Sequence, residues 1–344
     1  MAGGAGPRTR KFAREKKQIT GSMVAAIAGV SQSTVVRVLQ GDPRISPVTT
    51  RRVLEIARKT HYIPDKHSSL RILMLLDEPF FDAYTATWLE ILWKEILRRG
   101  WSGEIVRVTD MEQLRYASGG IAFCNMDQWA DEWEERVGIP LIVYGWHGHR
   151  THCIFPMTAD GKYDMELVID RLWRCGHRRI GLLCNHSRKD EAACYEHRAA
   201  GFIEASASRG VGDCESRMLF WGEGGSLRKR LETQWNQGVT ALVVIPGDYT
   251  IQILAELKKM RVRVPEDLSL ISWEYATVLP YLEPAVTALE PGVQQFVTYA
   301  CDYLEAMVTR QVIPPDIQIR GLLQERASVA PPLIRSENNT NTMK

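Results

Sequence analysis

"GVSQSTVVRVLQG", residues 29–41, combines a turn, a cap and a helix whose two sides have different tasks. Gly29-Val30-Ser31 reads as a turn closing into a helix N-cap. Val35, Val38 and Leu39 follow at i, i+3, i+4 and bury one face. The other face opens with Gln32, Ser33 and Thr34, three short hydrogen-bonding side chains, and carries Arg37 one turn later. A core helix has no use for such a front, whereas a helix that inserts its N-terminal end into a DNA groove does. There Gln32 can pair bidentately with adenine, Arg37 with guanine, and Ser33 or Thr34 with bases or phosphate.

Flanking residues extend this into a three-helix unit. Thr20 can cap a helix running to about Ala28, with Val24, Ala25, Ile27 and Ala28 on its buried side. Its capping box is incomplete because Met23 stands where Glu or Gln would close it. Gly29 ends that helix as a C′ glycine. Ser31 caps the second helix, which runs to about Gln40 and stops at Gly41-Asp42-Pro43. Ser46 caps a third, with Pro47 at its first position and Val48, Val53, Leu54 and Ala57 buried. Two helices around a tight turn, braced by a third, make a helix-turn-helix. A plain helical bundle with a solubilising tail is the competing reading, and charge argues against it. Through Arg71 the chain carries 14 Lys and Arg against 4 Asp and Glu, whereas the remainder carries 29 against 37. A basic head on an acidic body suits a polyanion partner. The arm bearing Arg8, Arg10, Lys11, Arg14, Lys16 and Lys17 adds sequence-independent attraction to phosphates.

The remainder of the 344-residue chain alternates strand-like and helix-like runs. Ile72–Leu76 is a buried strand, followed by an amphipathic helix from about Trp88 to Arg98 ending at Gly100. Further strands are expected at Ile121–Phe123, Leu141–Tyr144, Ile180–Leu183, Met218–Trp221, Ala241–Ile245 and Leu268–Ser272. Helices are expected at Met165–Cys175, His197–Arg209 and Thr250–Met260. This rhythm implies α/β architecture with parallel, doubly wound sheets. About 260 residues exceed one small sheet, so two lobes are expected.

Several classes are disfavoured. The seven cysteines form no C-x-x-C pair, as expected of reduced thiols in a cytoplasmic protein. The N-terminus lacks the apolar core of a signal peptide, and no apolar run approaches the ~18 residues of a membrane helix. "WHGHRTHC", residues 146–153, holds enough ligand types for zinc, but solvated loop histidines are the better reading and no metal is expected. "GEGGS", residues 222–226, lacks the Lys of a P-loop and reads as a turn. No G-x-S-x-G elbow or acid–base carboxylate pair stands out, so neither catalytic residues nor a cofactor are expected. A solute-binding protein and a metal-dependent or sugar-processing enzyme are the alternatives weighed against a DNA-binding regulator.

"TGSMVAAIAGVSQSTVVRVLQGDPRISPVTTRRVLEIARKTHYIP", residues 20–64, resembles the DNA-binding head of the lactose/galactose repressor family of bacterial transcriptional regulators. Thr20, Val24, Ala25, Ala28–Ser31, Thr34, Val35, Arg37–Leu39, Ser46, Thr49, Arg51, Val53, Tyr62 and Pro64 match its pattern. Val36 replaces the family's serine and Gln40 its asparagine. The resemblance implies that Gln32, Ser33 and Arg37 read bases while Ser31, Gln40, Arg44, Ser46 and Thr49 lie along the DNA backbone; Thr20, Thr34 and Lys66 complete the expected DNA-facing set. It continues through "DRLWRCGHRRIGLL" (170–183), "HRAAGF" (197–202) and "RVRVPEDLSLISWEY" (261–275). These imply a two-lobed body similar to periplasmic sugar-binding proteins, crossed three times by the chain. A sugar-like effector would sit between the lobes, at strand C-terminal ends. By the same resemblance Arg198 and Glu274 bind it; Asp248 can take over from one residue along, and an aromatic such as Phe80, Phe81, Trp146 or Trp273 can stack on a sugar face. Pro246-Gly247, Gly145 and Tyr275 depart from the family's polar residues.

The expected organisation is an arm over 1–18, the helix-turn-helix over 19–64, a short hinge over 65–71 and a body over 72–332. Within the body, lobe 1 takes about 72–158 and 290–318, and lobe 2 about 159–289 and 319–332. Residues 333–344 form a disordered tail. The expected partners are operator DNA, a sugar-like effector and a second copy of the chain, with no membrane. The hinge departs most from the family, where a leucine nine residues after the tyrosine wedges into the minor groove. Here that position is Arg71, and Leu70 comes one residue early, a rotation of ~100° on a helix.

Overall fold

The computed structural model describes residues 19–39, 42, 44–60, 62, 70–76, 83–114, 117–123, 126–145, 148, 150–184, 193–220, 225–245, 247–273, 278–310 and 315–333. The chain divides into two compact units, Met1–Ser69 and Leu70–Lys344.

The first unit contains α1 (Gly21–Ala28), α2 (Gln32–Leu39) and α3 (Pro47–Lys59). Each begins at a side-chain cap: Thr20, Ser31 and Ser46 accept from the amides of Met23, Thr34 and Thr49 at 3.4, 3.1 and 3.2 Å. Such caps satisfy orphan N–H groups that water would otherwise have to meet. Gly29 ends α1 at φ 63, in the left-handed region where a side chain is strained. Val24, Ala25, Ala28, Val35, Val38, Val53 and Ala57 form a small common core. Two expected core residues are not in it. Ile27 is exposed because the α1 stripe runs through Gly21, Val24, Ala25 and Ala28, and position 27 falls outside it. Val48 is 76% exposed, on the opposite side of α3 from Val53 and Ala57.

The second unit holds two six-stranded sheets. β1 (Arg71–Leu76), α4 (Ala83–Arg98), β2 (Ser102–Arg107) and β3 (Gly119–Ala122) lead to a short helix, α5 (Ala130–Glu132), which continues as a π-helical turn over Trp133–Val137. β4 (Leu141–Tyr144), β5 (Ile154–Ala159), α6 (Gly161–Arg174), β6 (Ile180–Cys184), α7 (Ala193–Ala207), β7 (Met218–Phe220), α8 (Leu227–Asn236), β8 (Ala241–Ile245) and α9 (Thr250–Lys259) follow. β9 (Ser269–Trp273), β10 (Thr287–Glu290), α10 (Val293–Arg310), β11 (Gln318–Ile319) and β12 (Leu322–Gln324) complete it. The sheet orders are β11-β5-β4-β3-β1-β2 and β12-β10-β9-β8-β6-β7. Every pairing is parallel except β10 with β12. Parallel strands need crossovers, and helices accordingly cover both faces of each sheet.

In the first sheet, α4 and α10 bury Trp88, Leu92, Phe296 and Leu304 on one face, while Trp133 and Val108 pack on the other. In the second sheet, α6 and α7 pack Met165, Leu172 and Phe202 on one face, opposite Leu231, Ile253 and Leu257 from α8 and α9. The chain passes between sheets three times: from β5 to α6, from β10 to α10, and from β11 to β12. At these passages Asp160 N donates to Ile319 O at 2.8 Å, and Gly321 N donates to Asp164 Oδ1 at 2.7 Å.

Candidate functional site

The front of α2 is built by Ser31. Besides capping Thr34, its hydroxyl shares hydrogen bonds of 2.8 Å with Ser33 Oγ and with Thr34 Oγ1. Ser31, Gln32 and Ser33 are exposed and Thr34 is half-buried, so the helix presents a polar N-terminal tip. Val36 stands 42% exposed on the same helix, an apolar group within an otherwise polar surface. Such a group suits a thymine methyl better than a phosphate oxygen.

Arg37 is not free. Its Nε donates to Asp42 Oδ2 at 2.8 Å. Arg44 grips the same carboxylate three times, through its amide and Nε to Oδ1 and through a terminal nitrogen to Oδ2, at 3.0, 2.9 and 2.8 Å. These bonds, those of Arg44 first and then of Arg37, hold the Asp42 carboxyl far below the usual carboxylate range. Sequence reading treated Asp42 as part of a helix stop. Its role as a clamp on two of the expected DNA-facing arginines was legible only as acid–base proximity within a short loop. Thr20, Ser46 and Thr49 sit at helix N-termini, with Ser46 Oγ donating to Thr49 Oγ1 at 2.9 Å. Gln40 and Lys66, the basic arm and the hinge over 65–69 lie outside the described residues.

In the body, Arg198 projects from α7 and is 6% exposed. Its guanidinium carbon lies 5.1 Å from the ring centroid of Trp273, which ends β9 and is fully buried. The guanidinium therefore covers a face of the indole that was expected to stack on a ligand. Asp164, in the first turn of α6, is also buried. Burial pushes its carboxyl up to about 6, against the opposing pull of the Gly321 amide and of Arg198. Its Oδ2 and the Trp273 Nε1 are buried polar atoms with no hydrogen-bond partner among the described residues. Two such orphans beside one arginine are costly in a dry interior unless a polar partner is supplied.

Asp164 was missed by sequence reading although a signal existed. It occupies the 164-165-168-169-172 phase of α6, otherwise filled by buried Met165, Val168, Ile169 and Leu172. A second missed feature is aromatic. Trp88, Tyr144 and Phe296 have ring centroids 4.4 to 4.8 Å apart, with Phe123 joining them near the C-terminal ends of β3 and β4. Gly247, where the repressor pattern has a polar residue, has a packing reason. A Cβ there would come 2.0 Å from the Trp273 carbonyl oxygen. Phe80, Phe81, Trp146 and Glu274, and the side chain of Asp248, lie outside the described residues.

A helix-turn-helix unit on a two-sheet body of the binding-protein type defines a class of regulator. Residues 23–65 match the model of bacterial regulatory proteins of the lacI family, and residues 169–329 match the periplasmic binding protein-like domain. Over these residues the head is similar to bacterial regulatory proteins of the lacI family and the body to periplasmic binding protein-like domains. It is 23% identical to the HTH-type transcriptional regulator GalR of Escherichia coli, over 93% of this chain and 98% of GalR. It is also 23% identical to the transcriptional repressor PurR of Aliivibrio salmonicida, over 77% of this chain and 85% of PurR. Among solved structures, the lac repressor dimer bound to operator and the anti-inducer ONPF superposes with a TM-score of 0.63, at 19% identity, covering 91% of this chain and all of that one. The transcriptional regulator CelR–cellobiose complex superposes with a TM-score of 0.62, at 21% identity, covering 90% and 99%. No single helix among the described residues is long and apolar enough to cross a membrane.

Proposed function

We propose that this chain is a non-enzymatic transcriptional regulator that binds operator DNA as a homodimer and is controlled by a sugar-like molecule held between the lobes of its body. The observation that carries the reading is the capped, polar N-terminal tip of α2, with Gln32 and Ser33 exposed and Arg37 one turn behind. One helix-turn-helix reads a half-site, so two copies on a pseudo-palindrome supply the specificity a single head lacks. Ser31, Arg44, Ser46 and Thr49 then lie along the phosphates, which fix register without reading sequence.

Control enters through the body. Arg198 is a fork of donors suited to vicinal hydroxyls or an anion, and Asp164 and Trp273 offer an acceptor and a donor beside it. Solved relatives of this fold carry cellobiose, ribose and D-xylulofuranose, which supports a sugar as the effector class. Ligand bound between the lobes favours one arrangement of the two sheets about the three passages, and that preference reaches the DNA as a change in the spacing of the heads.

Selection from a random duplex pool tests the DNA half of this proposal. A symmetric motif of two half-sites, bound with steep salt dependence, is expected. A pool that converges on no motif removes the assignment. Thermal-shift screening of mono- and disaccharides tests the other half, with Arg198→Ala expected to lose any stabilisation seen in the parent.

A further inference from the structure

We propose that Glu134, His152 and Cys153 form a site for a single zinc-class divalent cation, in the first sheet's lobe and separate from the effector region. Glu134 lies on the π-helical turn after α5, and His152 and Cys153 lead into β5. His152 Nδ1 is 3.1 Å from Glu134 Oε1, and Cys153 Sγ is 3.8 Å from the same oxygen. The three ligand atoms all lie within 4.8 Å of one another. Zinc bonds of about 2.3 Å to sulfur and about 2.0–2.1 Å to nitrogen or oxygen make tetrahedral edges of roughly 3.3–3.6 Å. The two separations from Glu134, 3.1 and 3.8 Å, bracket those edges, and rotation of the exposed His152 side chain can close the third.

The backbone under each ligand is pinned. Trp133, next to Glu134, is fully buried and donates its Nε1 to Ile139 O at 3.0 Å. Cys153 O accepts from Leu141 N at 2.7 Å, and Ile154 N donates to Thr151 Oγ1 at 3.0 Å. Ligands carried on fixed elements lose little freedom when a metal binds. Cys153 is buried while the His152 side chain is 73% exposed, which leaves one side open for the ion to enter and for water to fill a fourth position. Thiolate, imidazole and carboxylate together suit zinc and disfavour Mg²⁺ or Ca²⁺, which take oxygen ligands. The thiolate and carboxylate also balance the ion's two charges. Without a metal, the His152–Glu134 pair is a surface contact of little stabilising value.

Register places the site away from the ligand cleft. Leu141 aligns with Ile154 and Gly120 with Leu141, while Ile72 aligns with Gly119. Cys153 therefore lies at the strand N-terminal end of the sheet, where Arg71 starts β1, and not at the C-terminal ends where open α/β sheets bind ligands.

The test is titration of untagged, chelator-stripped full-length protein with ZnCl2, followed by calorimetry and thermal denaturation, and in parallel with CoCl2 followed by absorption. One equivalent of Zn²⁺ and a rise in Tm are expected. Co²⁺ should give a thiolate charge-transfer band that Cys153→Ser abolishes. His152→Ala and Glu134→Gln should each weaken Zn²⁺ by roughly tenfold or more. His152 is exposed, so its variant keeps the test intact even if Cys153→Ser fails to fold. Absence of saturable binding, or affinity unchanged in His152→Ala, would overturn the proposal.

Discussion

Asp42 joins Arg37 to Arg44: its Oδ2 accepts from Arg37 Nε and from a terminal nitrogen of Arg44, both at 2.8 Å. Arg37, the arginine proposed to read a base, is thus held in a defined direction by Asp42. DNA must either accept that geometry or displace the carboxylate. Asp42→Ala should raise affinity for random duplex, because a negative charge is lost and two cations are released, and should lower the ratio of specific to non-specific binding. Competition gel shifts at fixed salt measure both. The Asp42 carboxyl is held low by its arginines, so its contribution is present above the ordinary carboxylate range near pH 4 and is lost as pH falls through its depressed folded value. Between pH 5 and 8 this clamp should therefore impose no pH dependence on DNA binding.

Arg37→Ala should cost about 1–3 kcal/mol at the selected operator and relax preference at one base position per half-site. Because Arg37 also contacts Asp42, the double variant with Asp42→Ala separates base reading from loop positioning. If Arg37→Ala binds its operator as tightly as the parent, base reading by this residue is ruled out.

Asp164 gives a pH prediction of opposite sign. Its carboxyl is pushed up to about 6 by burial, and the charged groups facing it are Arg198, Asp160 and Glu290. A raised carboxyl binds its proton more tightly in the folded state, so the body loses stability as pH rises from about 4 to about 6 and then levels off. That interval corresponds to about 3 kcal/mol at most. Asp164→Asn keeps an acceptor for the Gly321 amide and removes the buried charge. Its Tm should equal the parent's near pH 4 and exceed it above pH 6.5. A difference that does not change with pH would show that the carboxyl is not strained by burial.

Leu70 packs against the core of the first sheet, and its carbonyl accepts from Ser102 N at 2.8 Å. It is a packing residue of the body, whatever the hinge before it does. Leu70→Ala should destabilise the body by about 1–2 kcal/mol, less than the ~2–5 kcal/mol of a fully buried leucine. Operator bending, read by end-to-end fluorescence transfer, should be unchanged. A strong bend that disappears in this variant would assign the leucine to the minor groove.

The parts of the fold that can be read from sequence are those where local chemistry and tertiary packing ask for the same residue. Thr20, Ser31 and Ser46 mark helix starts because capping is satisfied within four residues, and β1, β6 and β8 stand out as runs buried on both faces. β2 is an edge strand that is largely exposed, β5 carries Pro156, and β11 has two residues, so none leaves a period to detect. The candidate sites divide the same way. The α2 tip is local and legible, whereas Arg198 against Trp273, and Glu134 against His152, join residues far apart in sequence through folding alone.

The order in which the strands appear along the chain bears on synthesis. β5 receives its outer neighbour only from β11 at Gln318–Ile319, and β10 only from β12 at Leu322–Gln324. On the ribosome the three-helix head can be finished early, while both lobes wait for nearly the last residues to emerge. A messenger truncated before codon 318 would yield a chain that keeps the three-helix head but leaves the longer β5 and β10 as edge strands in place of β11 and β12, more prone to pair with other chains. Completion of both sheets thus waits on the final strands, and a nonsense mutation just before codon 318 should cost the body its stability although over nine-tenths of the chain has been made.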